Sequence, residues 1–266
     1  KQADGIAEGN REDGETGGVP GGNIRNAFLY DPTRVSLVEE VTLEAEELAA
    51  RGVAEPDAFN DARARDPHLG VFRFGDEAVT VVNNHFESRS GSDPIFGDVH
   101  PFEQGGEASR AAQARAINAV VDSIVADDAE ANVVVLGDFN TFENTDEMTE
   151  DLQGGADPVL INLQSVAIER EFSYNFQGNS QNLDHVFATE GLASVSRFDV
   201  VNVNDEFVSP ASDHDPILAT FNFAPDRVVS GGEEGETVRG GAGDDEIAAG
   251  GGNDRVRGFL GDDSVD

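Results

Sequence analysis

The chain has 266 residues, of which 53 are Asp or Glu and only 17 Lys or Arg, for a formal net charge of −36. It has no cysteine, which excludes disulfides and thiolate metal sites. No apolar run approaches the roughly 18–20 residues needed to span a membrane as a helix. A surface this acidic repels polyanions at low salt. Two readings answer that objection: the carboxylates hold cations at specific sites, or the surface is adapted to high salt, where the Debye length falls to roughly 3 Å at 1 M. Lys1 is the only lysine, which favours the second reading and a halophilic source.

Residues 1–23 are Gly-rich and acidic, without periodicity, and read as a surface loop. The opening stretch KQADGIAEGNREDGETGGVPGG reads as interior sequence with no leader visible. Ile24–Tyr30 is a predicted strand closed by Asp31-Pro32, and Thr42–Arg51 has helical composition ended by Gly52. Residues 53–69, with Pro56 and Pro67, read as irregular. Gly70–Phe74 and Ala78–Phe86 form a predicted hairpin with Gly75-Asp76 near its turn. After a polar loop over 88–106 comes a predicted helix at about 107–126. Its Ile117, Val120, Val121, Ile124 and Val125 repeat at helical spacing. Asn132–Leu136 ends in the all-apolar VVVL expected of a strand buried on both faces. Further strands are expected at 172–176, 183–188, 195–203 and 217–223, which makes the chain a mixed α/β protein.

After Pro225 the composition changes. From Gly231 four nine-residue units follow in one frame: GGEEGETVR, GGAGDDEIA, AGGGNDRVR and GFLGDDSVD. The eighth position holds Val238, Ile247, Val256 and Val265, and the sixth Glu236, Asp245, Asp254 and Asp263. The repeat resembles the GGxGxDxUx unit of RTX-type calcium-binding parallel β-rolls. Glycine permits the tight turn and close carbonyl approach, Asp supplies a hard oxygen ligand, and the apolar residue faces a thin core. Asp245, Asp254 and Asp263 are the expected Ca²⁺ ligands. Glu234 and Phe259 stand where Gly is expected, so calcium sites are weakest in the first and last units. The chain therefore divides into residues 1–226 and the repeats, 227–266.

Four short segments carry chemistry: Asn83-Asn84-His85-Phe86, Leu136-Gly137-Asp138-Phe139-Asn140, Leu183-Asp184-His185 and Ser212-Asp213-His214-Asp215-Pro216. A weaker fifth is Gly22-Asn23-Ile24-Arg25. Polar residues at the ends of apolar strands are oddly placed for a core and well placed for a site. Residues two apart on a strand share a face, so Asp138 and Asn140 point to one side. One can bind metal or water while the other donates to a phosphate oxygen. Asp213 and His214 offer an oxygen and an imidazole, and a separate Asp can hold that imidazole in one tautomer. His185 reads as an ordinary strand residue. A calcium-loop reading of Asp138–Thr149 fails, because Glu143 and Thr149 stand where Gly and Glu are required.

Together, in this order, NHF, GDFN, LDH and SDHDP resemble the later two-thirds of the endonuclease/exonuclease/phosphatase superfamily, the deoxyribonuclease I-like fold. GGNIR, AFLYDP, NNHFESR, GNSQNLDH and ASDHDP resemble more narrowly its large extracellular nucleases, from about Gly21 to Phe223. The resemblance implies a four-layer α/β/β/α sandwich and divalent-metal cleavage of phosphodiesters, with Mg²⁺ or Mn²⁺ at the site and nucleic acid as substrate. It implies that His214 is the catalytic histidine, oriented by Asp184, and that Asp213 is a metal ligand. Asp138 positions or deprotonates water and shares in metal binding, and Asn140 orients the phosphate. His85 is the second histidine, and Arg25 and Asn84 reach the substrate. Two departures stand out. Nothing in residues 1–20 resembles the family's first strands with their Asn and metal-binding Glu, so the chain is expected to lack that ligand. Asn26 takes the place of an aliphatic strand residue. Two other functions stay open: a phospholipid or inositol-phosphate phosphodiesterase of the same fold, and a calcium-binding extracellular module with a vestigial enzyme half. The β-roll argues for export, with folding delayed until calcium is met outside the cell.

Overall fold

A computed structural model describes residues 26–266 except 61–63, 76, 95–96, 102, 157, 168–171, 177, 205–206, 224–226, 243–244 and 261–262. Its centre is a six-stranded sheet. In chain order the strands are β1 (Ser36–Thr42), β2 (Arg65–Phe74), β3 (Glu77–His85), β4 (Asn132–Asp138), β5 (Ile161–Asn162) and β8 (Asp184–Ala188). Their order across the sheet is β1-β2-β3-β4-β8-β5. Only β3 and β4 run parallel, and the crossover between them contains a long helix.

The VVVL run behaves as a strand buried on both faces should. Val133 and Val135 enter one core with Val82, Phe86, Phe139 and Phe187. Val134 and Leu136 enter the other with Val186 and Ala188. The first core is covered by the predicted helix, observed over Glu107–Asp127, through Ile117, Val120 and Val121. Full burial of each of these side chains contributes roughly 1.5–3 kcal/mol. The second core packs against Phe198, Ile217, Ala219 and Phe221. These belong to a two-stranded sheet of β9 (Ser196–Val200) and β10 (Ile217–Phe221).

Three expectations need correction. Residues 53–69 are not irregular throughout, because β2 runs ten residues from Arg65 and includes Pro67. Proline is tolerated there because the register with β3 shifts between Arg65 and His68. The Pro67 carbonyl instead accepts the Leu43 N–H at 2.8 Å. The helix expected over 42–51 is one turn and a half, Ala45–Ala50, since Thr42 still belongs to β1. The strand expected over 24–30 is only a bridge at Leu29 among its described residues. Asn26 is satisfied by donating its side-chain amide to the Asp66 carbonyl at 2.9 Å.

The repeats wind as parallel strands one full turn, eighteen residues, apart. β12 (Thr237–Ala242) pairs with β14 (Arg255–Leu260), setting Val238 against Val256. β11 (Val228–Ser230), β13 (Glu246–Ala248) and β15 (Ser264–Val265) form the second sheet, setting Ile247 against Val265. Val238 and Ile247 are buried, as expected of the eighth position, whereas Val265 in the last unit is 55% exposed. A side chain at Gly231 would fall on the Ala249 carbonyl of the next turn.

Candidate active site

The sheet register brings four side chains into one row. Arg65 pairs with His85, His85 with Asp138, and Asp138 with Asp184, across β2, β3, β4 and β8. His85 and Asp138 end the two parallel strands. Asp184 and Arg65 begin strands antiparallel to them, so all four lie at the same end of the sheet. Gly137 makes the close pairing possible. Its φ is +136°, and any Cβ there would fall on the Asn84 carbonyl oxygen.

Beyond Asp138 the chain turns through Asn140 at φ +52°, a left-handed conformation that Asn adopts more readily than most residues. The Asn140 N–H donates to Asp138 Oδ1 at 2.8 Å. Its amide donates to the Phe86 carbonyl at 3.1 Å. His85 Nε2 lies 3.4 Å from Asp138 Oδ2.

His214 reaches the row from another segment. Its Nδ1 lies 2.7 Å from Asp184 Oδ2, which also accepts the Ser173 hydroxyl at 2.6 Å. A carboxylate at Nδ1 puts the proton there and leaves Nε2 facing outward. The backbone around His214 is clamped on both sides. Asn204 donates its side-chain amide to the His214 carbonyl at 2.8 Å. Asp215, buried, accepts the Val203 and Asn204 N–H groups, and its own N–H bonds the Ser173 carbonyl at 2.7 Å.

The electrostatics separate these groups. Burial, then the charge of Asp184, pushes Asp138 up to about 7 against the opposing pull of His214. Burial, then the cations Arg65 and His214, pushes His85 down to about 4, so it is neutral near pH 7. Burial alone would lower His214. The hydrogen bond and charge of Asp184, with Asp138 and Asp213, outweigh that and raise it to about 9. An acid raised and a histidine lowered beside a histidine raised form the kind of divergent set found where protons are exchanged.

Of the expected site residues, His85, Asp138, Asn140, Asp184 and His214 come together. Asp213 is exposed beside His214 and stays outside the tightest cluster, in which ligand atoms of Asp138, Asp184 and His214 all lie within 4.8 Å. Asn84 differs from expectation. It is 1% exposed, and its amide bonds the Val82 and Leu136 carbonyls, so it holds the sheet and does not face substrate. Arg25 lies outside the described residues. His185 is a core residue, buried and bonded through Nε2 to the Thr141 carbonyl at 2.9 Å. Sequence reasoning missed Arg65, Ser173 and Asn204, and gave Asp215 no role. The available signal was Arg65 standing one residue before Asp66-Pro67, where the proline suggested a loop.

The model of the endonuclease/exonuclease/phosphatase family matches residues 37–219, more than half of the chain. The chain belongs to the endonuclease/exonuclease/phosphatase family. Its tail matches the RTX calcium-binding nonapeptide repeat over residues 230–265. Among solved structures, this family member is similar to a mannosyl-6-phosphatase of Bacteroides thetaiotaomicron VPI-5482. The TM-score is 0.50 at 16% identity, over 74% of this chain and 70% of that one. It is also similar to a truncated Caenorhabditis elegans TDP2, with a TM-score of 0.50 at 17% identity over 71% and 67%. At these identities both likenesses concern the fold alone. No curated protein matches the sequence closely enough to count as a relative.

The family's domain is generally metal-dependent, and the donor set here fits a hard divalent ion. Two carboxylates, Asp138 and Asp184, crowd one another at the end of the sheet, and their mutual repulsion helps raise Asp138. The repeats also fit calcium. Asp245, Asp254 and Asp263 each use Oδ1 to accept a backbone N–H one turn earlier, from Arg227, Glu236 and Asp245, at 2.7–2.9 Å. Asp245 is 2% exposed, and its Oδ2 is buried with no hydrogen-bond partner among the described residues.

Proposed function

We propose that residues 1–226 form a metal-dependent phosphodiesterase, a nuclease by preference, joined to an RTX-type calcium-binding roll over 227–266 and exported from the cell. The observation that carries this is the row His85, Asp138 and Asp184 with His214 held on Asp184 at 2.7 Å. Each group is tuned for one part of an in-line attack on a phosphodiester. Asp138, a buried carboxylate at the end of its strand that is raised in the metal-free site, is the group placed to take the proton of the attacking water. His214, a cation near neutral pH, presents Nε2–H to a phosphoryl oxygen and offsets the charge that develops there, while the P–O bond opposite the attacking water breaks and the leaving oxygen takes a proton from solvent. Arg65 adds a fixed positive charge on the far side of His85. Asn140 orients the phosphate, and neutral His85 hydrogen-bonds the same group. Asp138 and Asp184, with Asp213 beside them, would hold Mg²⁺ or Mn²⁺, which polarises the phosphoryl oxygen when bound. The four RTX repeats support secretion, since such repeats are typical of exported proteins.

The test is His214→Ala in the calcium-loaded protein. Hydrolysis of duplex DNA should fall at least about 100-fold while the circular dichroism spectrum is unchanged. Full retained activity would refute the assignment. Product analysis on DNA, RNA, a phospholipid and an inositol phosphate separates the nuclease from phosphodiesterases acting on smaller substrates.

A further inference from the structure

The short hairpin of β6 (Tyr174–Phe176) and β7 (Asn179–Gln181) sits directly against His214. Its aromatic residues have no part in the chemistry above. Tyr174 and Phe176 are two apart on one strand, so they share a face. The Tyr174 ring lies on the His214 ring, with centroids 4.5 Å apart and planes 31° apart. The Phe176 ring stacks on Tyr174, with centroids 6.3 Å apart and planes only 12° apart. The three rings therefore lead stepwise out of the site. Phe176 is 50% exposed, so the outermost step is open to a ligand.

We propose that Tyr174 and Phe176 form a stacking platform for a nucleobase flanking the scissile phosphate. This rests on the nuclease reading and deepens it. Tyr174 already meets His214 and Phe176, so the exposed side of Phe176 is the surface left for a partner. The ring is placed in advance, which lowers the ordering cost of binding. The hairpin tip is tied by Asn175 Oδ1 accepting the Gly178 N–H at 3.0 Å and by Asn179 donating to the Phe176 carbonyl at 3.3 Å. The chemistry of the surroundings selects the partner. Gln181 and Asn179, the cross-strand partners of Tyr174 and Phe176, set side-chain amides on the same face as the two rings. A flat base edged by hydrogen-bonding groups fits that setting, whereas an acyl chain would desolvate the amides without replacing their bonds. Every base has a π face, so such a platform adds affinity with little sequence preference. It also draws on contacts that need no positive charge, which suits a chain of net charge −36.

The experiment compares two oligothymidylates in the calcium-loaded holoenzyme with Mg²⁺. One is intact and the other carries abasic residues flanking the cleaved bond. Phe176→Ala should raise KM about 10-fold on the intact strand with kcat changed less than about twofold. On the abasic strand the same substitution should change KM less than about twofold, and Phe176→Trp should restore the intact-strand KM. An equal KM rise on both strands, or none on either, overturns the platform. Loss of binding to neutral phospholipid vesicles without any change in KM assigns the ring to a membrane and also overturns it. If the wild-type protein cuts neither strand, the nuclease reading fails. Fluorescence anisotropy of both strands in about 1 M salt then decides the platform alone. Base-dependent binding lost in Phe176→Ala sustains it, and binding indifferent to the bases refutes it.

Discussion

Asp184→Asn removes one charge and leaves the shape of the site intact. In the wild-type protein His214 is raised from its ordinary 6.5 to about 9, and the net rise depends first on Asp184 overcoming burial. That displacement corresponds to about 3 kcal/mol in favour of the imidazolium. With Asn at 184, burial is opposed only by Asp138 and Asp213, so the midpoint should fall to 6.5 or below. NMR titration of the metal-free protein resolves this, since the chain has only 5 histidines. The sign for stability follows from linkage. A histidine raised in the folded state contributes stability that is full below pH 6.5 and lost as pH rises through about 9. Wild type should therefore lose about 3 kcal/mol across that window, and the variant should show no such loss. Turnover near pH 7.5 should drop between about 100- and 10,000-fold, because His214 becomes neutral, its Nδ1–H loses its charged acceptor and the proposed metal site loses a carboxylate. A midpoint still above about 8, or turnover within about threefold of wild type, would refute the reasoning.

Two further outcomes follow from groups away from the row. Burial, then the charge of Glu44, pushes Asp66 from 3.8 up to about 7. The folded state thus holds more protons than the unfolded one between those values, and stability falls as pH rises through the window. Asp66→Asn should stabilise the protein by up to about 4 kcal/mol at pH 8 and by nearly nothing at pH 4; urea unfolding that shows the same gap at both values contradicts this. Removing calcium with a chelator should unfold the roll, whose buried Asp245 has an Oδ2 without a hydrogen-bond partner among the described residues. Far-UV circular dichroism should lose strand signal that returns with excess calcium, and a spectrum indifferent to calcium would count against ordered repeats.

How much of this was legible depends on what each residue answers to. The roll was legible because a nine-residue period is a purely local pattern, and the parallel register of Val238 on Val256 repeats it in space. His85, Asp138, Asp184 and His214 were legible because each is a polar residue at or beside the end of an apolar strand. Arg65 was not, because its strand contains Asp66 and Pro67, and only the register shift against β3 lets a proline sit there. β1 was missed for a similar reason: Glu39 and Glu40 interrupt SLVEEVT, and pairing with β2 overrides the local preference. Ser173 and Asn204 could not be read at all. Their bonds to Asp184 and to the His214 carbonyl join segments 11 and 10 residues apart, and nothing local marks either residue. Asn84 was misplaced because it looks like its neighbour His85, yet alternation along the strand turns it into the sheet.

The acidic surface remains the hardest feature to reconcile with a polyanionic substrate, and it yields a prediction of unusual sign. A net charge of −36 spread over 14505 Å² is one negative charge per roughly 400 Å², or about 20 Å between neighbours. At roughly 0.01 M salt the Debye length of about 30 Å exceeds that spacing, so the whole surface repels a nucleic acid. At 1 M it is about 3 Å, and only groups in near contact are felt. Arg65 and the His214 cation are such groups, because they lie in the row where a phosphate would sit. Enzymes that hold nucleic acid through a basic surface lose affinity steeply as salt rises. Here the long-range repulsion is screened before the short-range attraction, so KM for DNA should fall or stay level between about 0.05 and 1 M salt. Stability should rise over the same range as the self-repulsion of the folded chain is relieved. A KM that climbs steeply with salt would mean that a basic surface dominates binding, and the residues of the row could not then be the main site of phosphate recognition.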